Sequence, residues 1–347
     1  MATLQRRSTW ACEGRAAEGR AEGDVVALWC RVVVPLIADQ LADFERRIEA
    51  ELRSDVAFIQ AIGSDLVGAG GKRLRPSLAF LAGVLLEAER ESTMRVALAV
   101  ELLHSASLLH DDLIDDADTR RGTTAAFRHY GNVVSVMSGD YLLARVLGIL
   151  AKTGSSAFTA LMSDTAARIC EGEVLQFQMA TLETWDRSTY QTVIEGKTAV
   201  LVAAAVEGVA VVSQAPDATR EALRAYGMAF GRAFQLRDDF LDLLGDPTSL
   251  GKPVGGDLRE GKVTLPVLGL IEDGNAEALA IVRRHAGDPG DVERMIELVR
   301  RHGGDRLTQR AIAVEVEAAS GALASLPPSP ARDALMALPR AELERVA

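Results

Sequence analysis

Two acidic clusters of identical spacing stand in the two halves of this chain: Asp111-Asp112-Leu113-Ile114-Asp115 and Asp238-Asp239-Phe240-Leu241-Asp242. Both read D-D-x-x-D, and both sit in apolar stretches, beside Leu108 and Leu109 in the first and Phe234, Leu236 and Leu243 in the second. On a helix, positions i and i+4 share a face, so Asp111 stacks over Asp115 and Asp238 over Asp242. Like charges one turn apart weaken a helix, and ionised carboxylates in apolar surroundings cost far more unless a positive partner offsets them. A hard divalent cation is such a partner, and Mg²⁺ characteristically bridges carboxylates to substrate phosphates. The candidate metal ligands are therefore Asp111, Asp112, Asp115, Asp238, Asp239 and Asp242.

Four basic clusters accompany the acids. They are Gly70-Gly71-Lys72-Arg73-Leu74-Arg75-Pro76, Arg120-Arg121-Gly122, Gly196-Lys197-Thr198, and a glycine-rich loop with Lys252 and Lys262 at its ends. Arginine forks match phosphate oxygens and lysines act as point charges. The combination suits a diphosphate held through Mg²⁺: acids take the metal, the metal takes the phosphate, and bases take the remaining oxygens. Taken singly, each piece has a plainer explanation. One acidic cluster fits a solvated helix face, Arg120-Arg121 fits a helix C-cap, and His104 fits a hydrogen-bonded core histidine. Gly196-Lys197-Thr198 matches the tail of a phosphate-binding loop, but Gln191 stands where that loop needs glycine and no strand precedes it, so the nucleotide reading is rejected.

The elements that must position these groups read as helices almost throughout. The periodicity predicts helices over about Val25–Arg53, Pro76–Leu86, Met94–Asp116, Asn132–Leu150, Ala157–Met179, Ser188–Ser213 with Ser188 as N-cap, Ala218–Leu244, Leu265–Glu272, Ala276–His285, Val292–Arg301 and Asp305–Ala324, with a short last helix after Pro330. Asp118–Gly122 reads as a polar turn and Gly245–Gly261 as a loop. No period-2 strand pattern emerges. One all-α domain over residues 25–347 is expected, behind a disordered tail at 1–24.

Composition agrees. The chain has 347 residues, 48% hydrophobic and only 5% aromatic, which favours helices with ample core over a sheet protein. A net charge of −11 argues against a nucleic-acid binder. Cys12, Cys30 and Cys170 form no zinc pattern or disulfide framework, which suits a reducing cytoplasm. No apolar run reaches membrane-spanning length, the longest candidate, Thr198–Val212, being interrupted by Glu207. The N-terminus has no apolar signal core.

Together the motifs resemble those of the trans-isoprenyl diphosphate synthases, the polyprenyl synthetase family. The resemblance covers essentially residues 30–345, in order. It runs from Gly70-Gly71-Lys72-Arg73-Leu74-Arg75-Pro76 through Leu109-His110-Asp111-Asp112-Leu113-Ile114-Asp115-Asp116 with Arg120-Arg121-Gly122, Gly139-Asp140, Glu171-Gly172-Glu173 and Lys197-Thr198. It ends at Phe234-Gln235-Leu236-Arg237-Asp238-Asp239-Phe240-Leu241-Asp242 with Gly251-Lys252 and Gly261-Lys262. The resemblance implies an all-α, isoprenoid-synthase-type bundle of ten or more helices around a central cavity, usually a homodimer.

It also implies roles. Asp111, Asp115 and Asp238 would bind three Mg²⁺ ions directly, and Asp112, Asp239 and Asp242 directly or through water. Arg120, Lys197, Lys252 and Lys262 would hold an allylic diphosphate. Lys72, Arg75, His104 and Arg121 would hold the diphosphate of isopentenyl diphosphate, and Thr198 and Gln235 would line the space where a carbocation forms. The catalytic set would be Asp111, Asp112, Asp115, Asp238, Asp239, Lys197 and Arg120. The implied enzyme is a trans-prenyltransferase that joins isopentenyl diphosphate head-to-tail to an allylic diphosphate.

Ala106 and Ser107 stand one turn before Asp111, where family members with short products often carry an aromatic stopper. Two small residues there resemble the long-chain members. A geranylgeranyl diphosphate synthase is the nearest alternative. A class I terpene cyclase is disfavoured by the intact second acidic motif, by Lys72 and Arg75, and by the scarcity of aromatics to steady cations. A non-catalytic subunit of a heteromeric synthase would be expected to lose acids, and none is lost.

Overall fold

Alanine- and leucine-rich segments, with apolar positions recurring every three to four residues, fold into the long helices that the periodicity predicts. The computed structural model describes residues 28–68, 73–114, 119–120, 123–250 and 253–344. A π-turn, Trp29–Val33, leads into α1 (Val34–Glu51), followed by α2 (Ala57–Gly68), α3 (Leu74–Leu85) and α4 (Arg90–Ile114). After β1 (Thr119–Arg120) and β2 (Thr123–Thr124) come α5 (Ala126–Tyr130), α6 (Asn132–Thr153), α7 (Ser156–Leu182) and α8 (Arg187–Ile194). A second π-turn, Glu195–Ala199, joins α8 to α9 (Val200–Val212), and the long α10 (Asp217–Leu244) follows. The remainder is α11 (Pro247–Leu250), α12 (Gly256–Arg259), α13 (Leu265–Glu272), α14 (Ala276–Arg283), α15 (Asp291–His302), α16 (Gly304–Ala322) and α17 (Pro330–Glu344).

The all-α expectation is borne out, with more than ten helices among the described residues. Some boundaries differ for local reasons. Asp186, not Ser188, caps α8, its carboxylate accepting from the Thr189 amide at 3.0 Å. The expected polar turn after the first acids includes a two-residue antiparallel pairing, Thr119 with Thr124 and Arg120 with Thr123, too short to show any alternation in sequence. The loop after α10 contains two single-turn helices. The expected tail, residues 1–24, lies outside the described residues.

Two readings need correction. Asn132–Thr153 is long and apolar enough to cross a membrane by length and composition, although no run of that kind was expected. It carries Asp140 and Arg145 and packs along α4, and a core helix passes the same test. Cys30 is disulfide-bonded, whereas no pairing was expected, because an odd cysteine count does not exclude a bond; Cys170 is a free, exposed thiol.

Two apolar cores share α10. Its first half, with Leu223, Tyr226, Ala229 and Phe230, packs into the core formed by α1, α3, α4, α6 and α9. Its second half, with Ala233, Leu236 and Leu243, packs into the core of α8 and α13–α16. The second acidic motif rides on that second half. Close helix approach makes this possible: a Cβ on Gly227 would collide with Ala203, and one on Gly231 with Ala199. Helix α9 in turn contacts both α4 and α10, so it stands between the helices that carry the two acidic motifs.

Candidate active site

The second acidic motif sits at the end of α10 in apolar surroundings. Asp239 is 4% exposed and Asp242 8%, while Asp238 is half-buried. Both oxygens of Asp239 are taken by protein donors. The Tyr190 hydroxyl donates to Oδ2 at 2.5 Å, and Gln235 Nε2 donates to Oδ1 at 2.8 Å. Thr198 Oγ1 donates to Gln235 Oε1 at 2.6 Å and extends the chain. Thus Thr198, Gln235 and Asp239, three of the expected site residues, meet in one buried network. Tyr190, which sequence reasoning missed, completes it, because a tertiary bond across 49 positions leaves no periodic trace.

Burial, together with Asp238 and Asp242 nearby, pushes the Asp239 carboxyl up to about 6, against the lowering effect of its two hydrogen bonds. Asp257, also missed, is pushed well above the usual carboxylate range by burial and by Asp242 and Asp239, with Lys262 opposing. The glycine pair beside it was the available signal. The Gly255 amide donates to the Asp242 carbonyl at 2.6 Å and the Asp257 amide to Asp242 Oδ2 at 3.0 Å, while a Cβ on Gly256 would crowd Asp242 Oδ1 at 3.1 Å. The loop after α10 therefore folds back onto the acids. Lys262 Nζ stands 2.7 Å from Glu260.

Lys197 lies in the second π-turn. Its ammonium donates to Glu173 at 2.9 Å and to Gln176 at 3.1 Å, both on α7. The turn approaches α7 at two glycines: a Cβ on Gly172 would sit 2.8 Å from the Lys197 amide, and one on Gly196 2.7 Å from the Arg168 carbonyl. A π-turn inside a helix is a frequent mark of a functional position; here it aims Lys197 and Thr198 at different neighbours.

The first acidic motif ends α4, with Asp112 3% exposed and Asp111 half-buried. Its base is fastened to α6. Ser135 Oγ donates to the Leu109 carbonyl at 3.1 Å, and His110 Nε2 lies 3.6 Å from Asp140 Oδ1. Gly139 makes the room, since any Cβ there would collide with the His110 ring. His104, about two turns before Asp111, is half-buried, and its carbonyl accepts from Ser107 Oγ at 2.9 Å. Ala106 is 1% exposed and shares its core with Leu102, Leu103 and Val146. Arg75 lies in the first turn of α3. Arg120 belongs to β1, and its side chain lies outside the described set; Lys72, Asp115, Arg121 and Lys252 lie outside the described residues altogether.

Among the described residues no three ligating side chains stand close enough together to hold a metal ion as they are. The donor set nonetheless fits one in its chemistry: carboxylates alone, hard oxygen ligands, gathered where burial and then neighbouring carboxylates push the carboxyls of Asp239 and Asp257 up.

A model of the Polyprenyl synthetase family matches residues 56–299. The chain belongs to this family. It is 35% identical to the octaprenyl diphosphate synthase of Escherichia coli K12 over 314 residues, 89% of this chain and 97% of that one. It is 34% identical to the all-trans-nonaprenyl-diphosphate synthase (geranyl-diphosphate specific) of Rhodobacter capsulatus, over 89% of this chain and 96% of that one. In three dimensions it resembles a polyprenyl synthase from Caulobacter crescentus CB15, crystallised with calcium and isoprenyl diphosphate. The TM-score is 0.86 at 39% identity, covering 94% of this chain and all of that one.

Proposed function

We propose that this polyprenyl synthetase is a trans-prenyltransferase that condenses isopentenyl diphosphate with an allylic diphosphate, repeatedly, into a long-chain all-trans polyprenyl diphosphate. One observation carries the reading: the chain aligns over nearly its whole length with synthases of eight- and nine-unit products while keeping both acidic motifs intact.

The family is Mg²⁺-dependent. Here Asp111, Asp112, Asp115, Asp238, Asp239 and Asp242 would hold the metal, three ions in all, which when bound neutralises charge on the leaving diphosphate. The chain's own cations do the rest. Lys197, Arg120, Lys252 and Lys262 hold the allylic diphosphate and favour transfer of the C–O electron pair to it. Lys72, Arg75, His104 and Arg121 orient isopentenyl diphosphate so that its double bond attacks the allylic cation left when that bond has broken. The proton lost from the new chain passes to the released diphosphate. Apolar helix walls keep water from the carbocation, beside the Thr198–Gln235 pair.

Product length falls to α4. Ala106 and Ser107 offer no bulky stopper to a chain growing past them, and Leu102, Leu103 and Val146 stand deeper. The proposal extends to a homodimer in the cytoplasm. Exposed apolar side chains on α6 and α7, among them Val133, Met137, Leu147, Val174 and Phe177, support the dimer; sedimentation velocity at micromolar concentration tests it. The chemistry is tested by incubating the purified chain with Mg²⁺, labelled isopentenyl diphosphate and farnesyl diphosphate. Incorporation into an extractable, acid-labile product is expected, and no incorporation would overturn the reading.

A further inference from the structure

Arg73 stands between Lys72 and Arg75 in sequence, but its guanidinium is taken up by carboxylates of two other helices. It occupies the N-cap of α3 with φ 45° and ψ 39°, a left-handed conformation that a non-glycine residue adopts only under constraint. The constraint is visible. Its guanidinium donates to both oxygens of Glu45 on α1, from Nε at 2.8 Å and Nη2 at 3.2 Å. Nη1 donates to Glu101 on α4 at 3.0 Å. The Arg73 side chain is 9% exposed, that of Glu101 7%, and the Phe44 ring lies 6.0 Å below the guanidinium. One side chain thus joins three helices.

What it joins matters. Arg75 follows two residues later in the first turn of α3. His104 follows Glu101 by three residues on α4, on the same face. The two described groups assigned to the diphosphate of isopentenyl diphosphate therefore come from separate helices, and Arg73 bridges those helices next to both.

We propose that Arg73 is a positioning residue for the isopentenyl diphosphate site, setting the distance between Arg75 and His104 through its bonds to Glu45 and Glu101. The inference rests on the assignment of Arg75 and His104 given under the proposed function. A bidentate fork with a third nitrogen to spare is needed, so lysine cannot replace it. Small misplacements of binding groups carry large kinetic penalties, and the penalty here falls on one substrate only.

The test measures steady-state constants of the full-length enzyme for each substrate, with calorimetric titration of isopentenyl diphosphate and a thermal melt. Arg73→Lys keeps the charge and loses the fork. The double variant Arg73→Gly with Glu101→Gln relieves the backbone and avoids a stranded buried carboxylate. Glu45→Gln, at a partly exposed partner, loosens one arm and guards against loss of folding. Each is expected to raise KM and Kd for isopentenyl diphosphate, roughly tenfold for the first two and less for the third, with KM for farnesyl diphosphate unchanged within about twofold. Equal rises for both substrates, a fall in kcat alone, or no change would overturn the inference. Arg75→Gln separates the two readings. If it raises KM for isopentenyl diphosphate while the Arg73 variants do not, positioning fails and the site stands; if it too has no effect, the site assignment itself fails.

Discussion

At the residue scale, the acids are the most exacting feature. Asp111→Ala or Asp238→Ala removes a proposed metal ligand while relieving like-charge repulsion, so turnover should fall by orders of magnitude with the melting temperature held or raised. Activity near that of the parent in both would remove the metal assignment. Asp239 adds a prediction about pH. Its carboxyl is raised to about 6 in the folded chain, above the ordinary value of an unfolded aspartate. The folded state therefore holds the extra proton between roughly pH 4 and 6, and stability declines as pH rises through that window. In metal-free protein, Asp239→Asn should gain on the order of 2 kcal/mol above pH 6 and converge with the parent near pH 4. Chemical denaturation at several pH values measures this; a pH-independent difference would mean that the carboxyl is not held protonated. Tyr190→Phe removes one of the two donors to Asp239 and should cost about 1–3 kcal/mol at pH 8, where the carboxylate is charged, and less near pH 5. Asp239 itself was legible as the second acid of the D-D-x-x-D cluster. Tyr190 and the partners of Arg73 were not, because each acts through a contact between distant elements, and Asp257 had only the Gly255-Gly256 pair beside it as a sign.

At the element scale, the second π-turn shows how a helix is made to serve two neighbours. Sequence periodicity merges Ser188–Ser213 into one helix; the structure has a helix over Arg187–Val212 interrupted by five π-turn residues. The local widening lets Lys197 reach Glu173 on α7 while Thr198 reaches Gln235 on α10. Gly172 and Gly196 permit the approach, and glycines at such spacing give no signal in a hydrophobic pattern. Gly196→Ala should therefore destabilise by about 1–3 kcal/mol through overpacking and should lower kcat by displacing Lys197. A variant with normal stability and kcat would show that the turn tolerates a wider gap. The helix boundaries that sequence placed correctly, such as Leu265–Glu272, are those where amphipathic period and Pro or Gly punctuation coincide.

At the scale of the whole molecule, α10 serves two cores and carries the second acidic motif from one into the other, while α9 stands between α10 and α4. The all-α class followed from composition and period alone. The sharing of one helix by two cores did not, since the change of core falls partway along α10 and no pattern says which partner takes which. On the proposed reading, product length is a property of this whole arrangement, because the growing chain would run along α4 past Ala106 and Ser107. Ala106→Phe should shorten the product, although its 1% exposure means that some stability will be lost as well. The most direct test of the account is the product itself, made by the purified parent chain from farnesyl diphosphate and isopentenyl diphosphate with Mg²⁺ and resolved by chromatography. A ladder that ends beyond twenty carbons is expected; a product that stops at twenty carbons, or no product at all, would contradict the long-chain assignment.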